Sequence, residues 1–246
     1  MTKPRGRASV TVGAVPATAV GARESQAVEG TFLARLSDHE REPLFDLGVR
    51  CKFPREALLM FQDEQDERLH LLLTGRVKVT RTAPGGRELL LAIRDAGDLL
   101  GELAFIDGLP RIATVSALED VETLILSPGR FRLYLEQTPR AAVVLIELLA
   151  MRTRESTIKR LQFSASDTLG RLASRIIELI DRYGEQTPDG IVVKMPISQD
   201  ELAGWTGASR AGVAQALQTL RELGWLSTER RTFVVRDPDA MRLRAA

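Results

Sequence analysis

This chain has one cysteine, two histidines and almost no net charge, and each shortage excludes a class of function. Cys51 alone cannot close an intramolecular disulfide. Nor can one chain with a single cysteine supply a four-cysteine iron–sulfur cluster or a cysteine zinc site. His39 lies in a polar helical stretch and His70 in a strand of leucines. Without neighbouring carboxylates or cysteine they read as surface or core groups; no metal site is expected, and an axial haem role is disfavoured. A formal net charge of +1 argues against a strongly basic nucleic-acid coat, while leaving room for a local basic face. No run approaches the roughly 20 apolar residues of a membrane-spanning helix. The amino end carries Lys3, Arg5 and Arg7 ahead of VTVGAVPATAVGA, which has Gly, Pro and Thr but no Leu, Ile or Phe. That is too weakly apolar for the centre of a signal peptide, so residues 1–29 read as a disordered tail and the chain as cytoplasmic, with no membrane partner. No nucleophile–base pair or catalytic spacing is evident, so the chain does not read as an enzyme.

What is present is a soluble composition, 44% hydrophobic and 27% charged over 246 residues, enough for one or two domains with a real core. The most informative stretch is SQDELAGWTGASRAGVAQALQTLRELGWLSTERRTFVV, residues 198–235. Ser198 with Glu201 spells a capping box, with Gln199 opening the helix. Leu202 and Trp205 face inward, and Gly207 stops the helix at a left-handed turn. Ser209 caps a second helix whose apolar face is Val213, Ala216, Leu217 and Leu220. That leaves Ser209, Arg210, Ala211, Gln215 and Gln218 for the outer face. A turn carrying Arg230 and Arg231 then joins two β-rich runs into a hairpin wing. Two helices across a short glycine turn form a helix-turn-helix, whose second helix enters the DNA major groove. A protein-docking surface has no particular need of Arg at those two places, whereas a groove-reading surface has.

Upstream, a short helical region at 31–47 gives way to strand-like runs at 51–53, 57–61, 69–73, 76–80, 88–93, 113–117 and 122–126, separated by turn signals. That rhythm predicts an antiparallel sandwich or barrel. Beyond Pro128 the pattern is helical: about 130–135, a long helix at about 140–163, and 168–183. In the long helix Ala142, Ile146, Leu149, Thr153, Ser156, Arg160 and Phe163 recur at spacings of 4, 3, 4, 3, 4, 3, a heptad seam suited to pairing with a second copy. Val144, Leu148, Met151 and Ile158 fall towards a second face suited to the helix's own barrel. The fold class is α+β, with a tail at 1–29, a β-roll at 30–139, a dimerisation helix at 140–165 and a winged helix-turn-helix at 166–246.

The loop GDLLGELAF, residues 97–105, leads to PRIATV at 110–115. Backbone N–H groups on one side of a turn, with an Arg ten residues on, can hold a phosphate, and a neighbouring carboxylate can accept from sugar hydroxyls. In this order, roll, long helix and winged helix-turn-helix resemble the catabolite activator and fumarate-nitrate regulator superfamily. The resemblance runs from about residue 31 onward. It places Gly101, Glu102, Leu103, Ala104, Arg111 and Ile112 in a cyclic-nucleotide cassette, Arg111 on the phosphate and Glu102 on the ribose. Ser156 and Thr157 fall at the base-contacting positions of the long helix. Ser198, Gln199, Ser209, Arg210, Ala211, Gln215, Gln218, Arg230 and Arg231 become the DNA face. It further implies a cyclic AMP or cyclic dinucleotide effector, a palindromic double-stranded DNA site, homodimerisation and RNA polymerase as a partner. Three departures stand out. Ile112 replaces the family's usual Ser or Thr, Ala211 replaces a Glu, and Gln215 replaces a second Arg. The alternatives left open are a nucleotide-binding module acting on a partner protein, and a regulator whose pocket is only a scaffold.

Overall fold

The computed structural model describes residues 27–194, 197–229 and 232–245, with the side chains at 162–164 also left undescribed. After a 3-10 turn at Leu33–Arg35, α1 (Asp38–Phe45) is closed by a capping box between Ser37 and Glu40. Eight strands follow: β1 (Gly48–Phe53), β2 (Leu58–Met60), β3 (Leu69–Thr74), β4 (Val77–Thr82), β5 (Glu88–Arg94), β6 (Leu99–Leu100), β7 (Thr114–Ala117) and β8 (Val121–Leu126). They form two antiparallel sheets, ordered β1-β8-β3-β6 and β2-β7-β4-β5. Leu69, Leu71, Leu99, Leu124 and Leu126 pack with Phe32, Phe131 and Leu148 in one apolar cluster. Between β6 and β7 sits α2 (Glu102–Asp107), a short helix where the sequence predicts a turn. The tail reading for residues 1–26 lies outside the described residues; at its end, Ala27 packs against the roll and Val28 N–H donates to Ala96 O.

Helix α3 (Pro128–Gln137) and the long α4 (Pro139–Ala165) lead away from the roll. Val144 and Leu148 are fully buried against the roll, as their spacing predicts, but Ile158 is 55% exposed. It lies beyond the turns of α4 whose residues pack into the roll, so there is nothing for it to cover. Of the heptad seam, Ile146, Thr153, Ser156 and Arg160 are exposed, and Ala142 and Leu149 are partly buried. Leu149 packs against the roll's own core, while Val143, Ile146, Ile158 and Leu161 stand exposed. Ile146 belongs both to these exposed apolar residues and to the heptad seam. Phe163 belongs to the seam in sequence, but its side chain is not among those described.

The carboxyl-terminal part comprises α5 (Thr168–Tyr183), β9 (Glu185–Thr187), β10 (Gly190–Lys194), α6 (Gln199–Thr206), α7 (Arg210–Glu222), β11 (Leu226–Glu229), β12 (Thr232–Val235) and α8 (Pro238–Ala245). The small sheet runs β11-β12-β10-β9, with β11 and β12 as the wing hairpin. Its core is Leu172, Ile176, Leu179, Val193, Leu202, Val213, Leu217, Leu220 and Val235. Two roll residues of β5, Leu90 and Ile93, join that same cluster, so roll and helix-turn-helix share one apolar contact.

Candidate functional site

Two sites emerge, on opposite faces of β5. The first is a cavity of about 430 Å³ between the β2-β7-β4-β5 sheet, the start of α2 and helix α4. Volumes of this order suit small-molecule ligands. All eight residues expected from sequence line it: Gly101, Glu102, Leu103, Ala104, Arg111, Ile112, Ser156 and Thr157. Gly101 is in the left-handed region, with φ of 83°, and a Cβ there would run into the Arg111 guanidinium. Only glycine serves, because the backbone conformation and the close approach of the arginine both require it.

Arg111 is 3% exposed. Its Nη1 donates to Gly101 O at 3.0 Å, its Nη2 donates to Arg68 O, and Asp66 lies 3.5 Å away. Its Nε is buried with no hydrogen-bond partner among the described residues, a donor left for something else. Burial holds its pKa below the usual arginine value, with Asp66 acting the other way. Ile112 is 51% exposed at the cavity wall and offers no hydroxyl.

Glu102 is not a free acceptor. Arg152 on α4 donates to Glu102 Oε1 at 2.7 Å, to Asp98 Oδ1 at 2.8 Å and to Leu99 O at 3.2 Å. Burial disfavours the Arg152 cation, but Glu102 and Asp98 together raise its pKa above the usual value. Glu102 can still accept at its second oxygen. The sequence reading missed Arg152, although it stands one turn ahead of Ser156 and so faces the same way. It also missed Arg94 at the end of β5 and Lys159, both in the wall, the latter held by Glu178 at 2.9 Å. Ser156 and Thr157 are exposed, and Thr157 Oγ1 donates back to Thr153 O at 3.0 Å.

The second site is the helix-turn-helix. Ser198 Oγ accepts from Glu201 N–H at 3.2 Å, and Glu201 Oε2 accepts from Ser198 N–H at 2.7 Å, closing the box. Gly207 terminates α6 with φ of 64°, and Ser209 Oγ accepts from Gly212 N–H at 3.0 Å to start α7. Ser198, Gln199, Ser209, Arg210, Ala211, Gln215 and Gln218 are all exposed. Arg210 is 3.5 Å from Asp200, a pair exposed on both sides and readily given up to a phosphate or base. Arg230 and Arg231 lie outside the described residues. Trp205 is buried, 6% exposed, and belongs to the core. Arg175 stacks on its ring at 5.6 Å.

Strand β5 joins the sites. Leu91, Ala92 and Arg94 line the cavity while Leu90 and Ile93 pack in the helix-turn-helix core. Lys78 pairs with Glu201, Arg87 donates to Ala203 O and Ala208 O, and Arg182 and Tyr183 both donate to Asp95. The two histidines fall as expected, His39 exposed and His70 buried beside Thr123 at 3.3 Å.

The comparisons agree with this geometry. A family model for the cyclic nucleotide-binding domain matches residues 50–138, and one for the Crp-like helix-turn-helix domain matches 170–244. The chain is 30% identical over 193 residues to the CRP-like cAMP-activated global transcriptional regulator of Mycobacterium tuberculosis H37Rv, covering 78% of this chain and 86% of that protein. In fold it is similar to a CooA mutant from Carboxydothermus hydrogenoformans, at 20% identity and a TM-score of 0.74, covering 90% of this chain and 99% of the other. It is equally similar in fold to the c-di-GMP responsive regulator CLP of Xanthomonas campestris, at 20% identity and a TM-score of 0.74, covering 81% and 99%. The members of this family are transcription regulators and not enzymes, and no described helix is long and apolar enough to cross a membrane. With an effector-binding roll, a long helix and an exposed, capped recognition helix, this chain belongs to the CRP/FNR family of DNA-binding transcription regulators.

Proposed function

We propose that the chain works as a homodimer whose affinity for a two-fold promoter site is set by a cyclic nucleotide in the roll cavity. The observation that carries this reading is the convergence of Gly101, Glu102, Arg111, Ser156 and Thr157, from three segments of the chain, on one cavity. Arg111 with its unpartnered Nε takes the cyclic phosphate, Glu102 takes a sugar hydroxyl, and Ser156 and Thr157 stand at the base end. The relative in M. tuberculosis is cAMP-activated, and the same fold answers c-di-GMP in CLP.

A ligand seated against Leu91 and Ala92 bears on the strand whose other face holds Leu90 and Ile93 against α6. A shift of β5 therefore changes how the helix-turn-helix is carried. Dimerisation supplies two recognition helices for two half-sites about one helical turn apart. The exposed Ile146 is the centre of the seam in this reading, because Leu149 is already used by the roll. On DNA, Arg210 takes a guanine through O6 and N7, Gln215 suits adenine, and Ala211 offers an apolar contact such as a thymine methyl, while Arg230 and Arg231 bind phosphates. RNA polymerase is the partner at the promoter.

The test is a panel of cyclic mono- and dinucleotides titrated against the full chain with thermal unfolding as the readout. A ligand at 100 times its dissociation constant adds about 2.7 kcal/mol to the folded state. A stabilising nucleotide whose effect disappears in Arg111→Leu supports the reading. No stabilisation by any member would remove it.

A further inference from the structure

Arg94 stands in the wall of the cavity with no carboxylate paired to its guanidinium among the described residues. Five cationic residues line that wall. Arg111 is held by Gly101, Arg68 and Asp66, Arg152 by Asp98 and Glu102, and Lys159 by Glu178. Arg160 also has a partner. The Arg94 guanidinium makes no hydrogen bond or ion pair with any described residue. Of the carboxylates that bear on it, Asp98 and Glu102 are already committed to Arg152, leaving only Glu155 on α4. Burial and the neighbouring Arg152 both work against its charge, yet a guanidinium stays protonated. The guanidinium is half-buried at the cavity wall and so is open to an anion that enters the cavity.

Its position separates it from Arg111. Arg94 pairs with Val77, which pairs with Ala117, two strands away across the sheet. Arg111 lies on the far side of Thr114 from Ala117, so the two Cα atoms are offset by about 10 Å or more along the strands and a similar distance across them. The charges that act most strongly on Arg94 are Arg152, Asp98, Glu102 and Glu155, whereas those that act most strongly on Arg111 are Asp66, Glu64 and Arg68. At the Arg111 end, Ile112 withholds the hydroxyl that would have strengthened the grip on one phosphate.

We infer that Arg94 anchors a second anionic group of the effector, so the cavity takes a ligand with two separated negative charges, as a cyclic dinucleotide has and a cyclic mononucleotide lacks. This inference rests on reading the cavity as a nucleotide site. It makes Arg111 and Arg94 the two ends of one recognition device, with the ligand spanning from the α2 loop towards α4.

The experiment is calorimetry of the full-length protein, its Arg94→Gln and Arg94→Lys variants and Arg111→Leu, each titrated with cyclic AMP, cyclic di-GMP and cyclic di-AMP. Sedimentation and thermal unfolding of each variant accompany the titrations. Wild type should bind a dinucleotide. Arg94→Gln should weaken that binding at least tenfold, changing any cyclic AMP affinity less than twofold, with partial recovery in Arg94→Lys. Arg111→Leu should abolish both. Equal weakening of both ligand types by Arg94→Gln, no weakening at all, or a change in oligomeric mass instead would overturn the inference. Wild type binding cyclic AMP but neither dinucleotide would overturn it and leave the proposed function standing. Wild type binding none of the three would overturn both.

Discussion

Replacing Arg152 by methionine, which keeps most of the side-chain length and removes the charge, tests whether the cavity floor is an electrostatic knot. Asp98 and Glu102 are only 5% and 8% exposed, and Arg152 is the cation that pairs with both. Removing one partner of a buried pair leaves the other charge stranded, at about 3–5 kcal/mol. Set against a typical total stability of 5–15 kcal/mol, that is a large fraction. For a chain of this length it corresponds to a Tm lower by roughly 6–20 °C, at about 2–4 °C per kcal/mol. The decisive control is the triple variant Asp98→Asn, Glu102→Gln, Arg152→Met, in which no buried charge is stranded. It should be more stable than Arg152→Met alone, although it carries more substitutions. Urea unfolding of the two side by side gives the comparison. A cost below about 1 kcal/mol for Arg152→Met, or a triple variant less stable than the single one, would refute the reasoning, since either result belongs to a solvent-screened pair.

Four further outcomes follow from particular residues. Burial pushes the His70 pKa down to about 4, from 6.5 in an exposed chain, with Arg111 and Arg68 adding to the effect. The unfolded chain therefore binds the proton more readily, and His70's contribution is complete above about pH 6.5 and lost as pH falls towards 4. The maximum is on the order of 3 kcal/mol, and His70→Gln should flatten the stability–pH curve across that window. Ser198→Ala removes the cap of α6 and should cost about 1 kcal/mol in denaturant unfolding, against a few tenths for Ser198→Gly. Ile146→Asp should shift sedimentation towards monomer, because Ile146 is 66% exposed on the free face of α4, and an unchanged mass would place the seam elsewhere. Arg210→Ala should lose about 1–3 kcal/mol on the best site and relax preference at one guanine in selection from random duplexes, while Arg231→Ala weakens all sequences alike.

The parts of the molecule legible in sequence are those whose signals are local. Ser198 with Glu201, Gly207 and Ser209 each need only three or four neighbours to do their work, and all four sit as their spacing predicts. Seven strands were visible because alternation and turn residues are local as well. The cavity was partly legible, since Gly101, Glu102 and Arg111 carry a pattern. Its electrostatics were not. The pairing of Arg152 with Asp98 and Glu102 joins positions about 50 residues apart, and no periodicity reports that. The roll also claims Leu149, which on spacing alone is as good a seam residue as Ile146. Helix α2 is six residues long and begins at a left-handed glycine, too short for a hydrophobic period to show. The docking of α6 on β5 depends on Lys78, Arg87, Leu90 and Ile93, which in sequence are ordinary strand and turn residues.

The central claim is that occupancy of the roll cavity controls DNA binding. Its most direct measurement is the affinity of the full-length protein for a two-fold site selected from random duplexes, at fixed salt, with and without a saturating nucleotide that the cavity binds. Wild type should show a change of at least tenfold in Kd, about 1.4 kcal/mol, and Arg111→Leu none, while still binding DNA at the unliganded level. DNA affinity that is indifferent to a nucleotide known to bind, or an Arg111→Leu protein that responds like wild type, would contradict it.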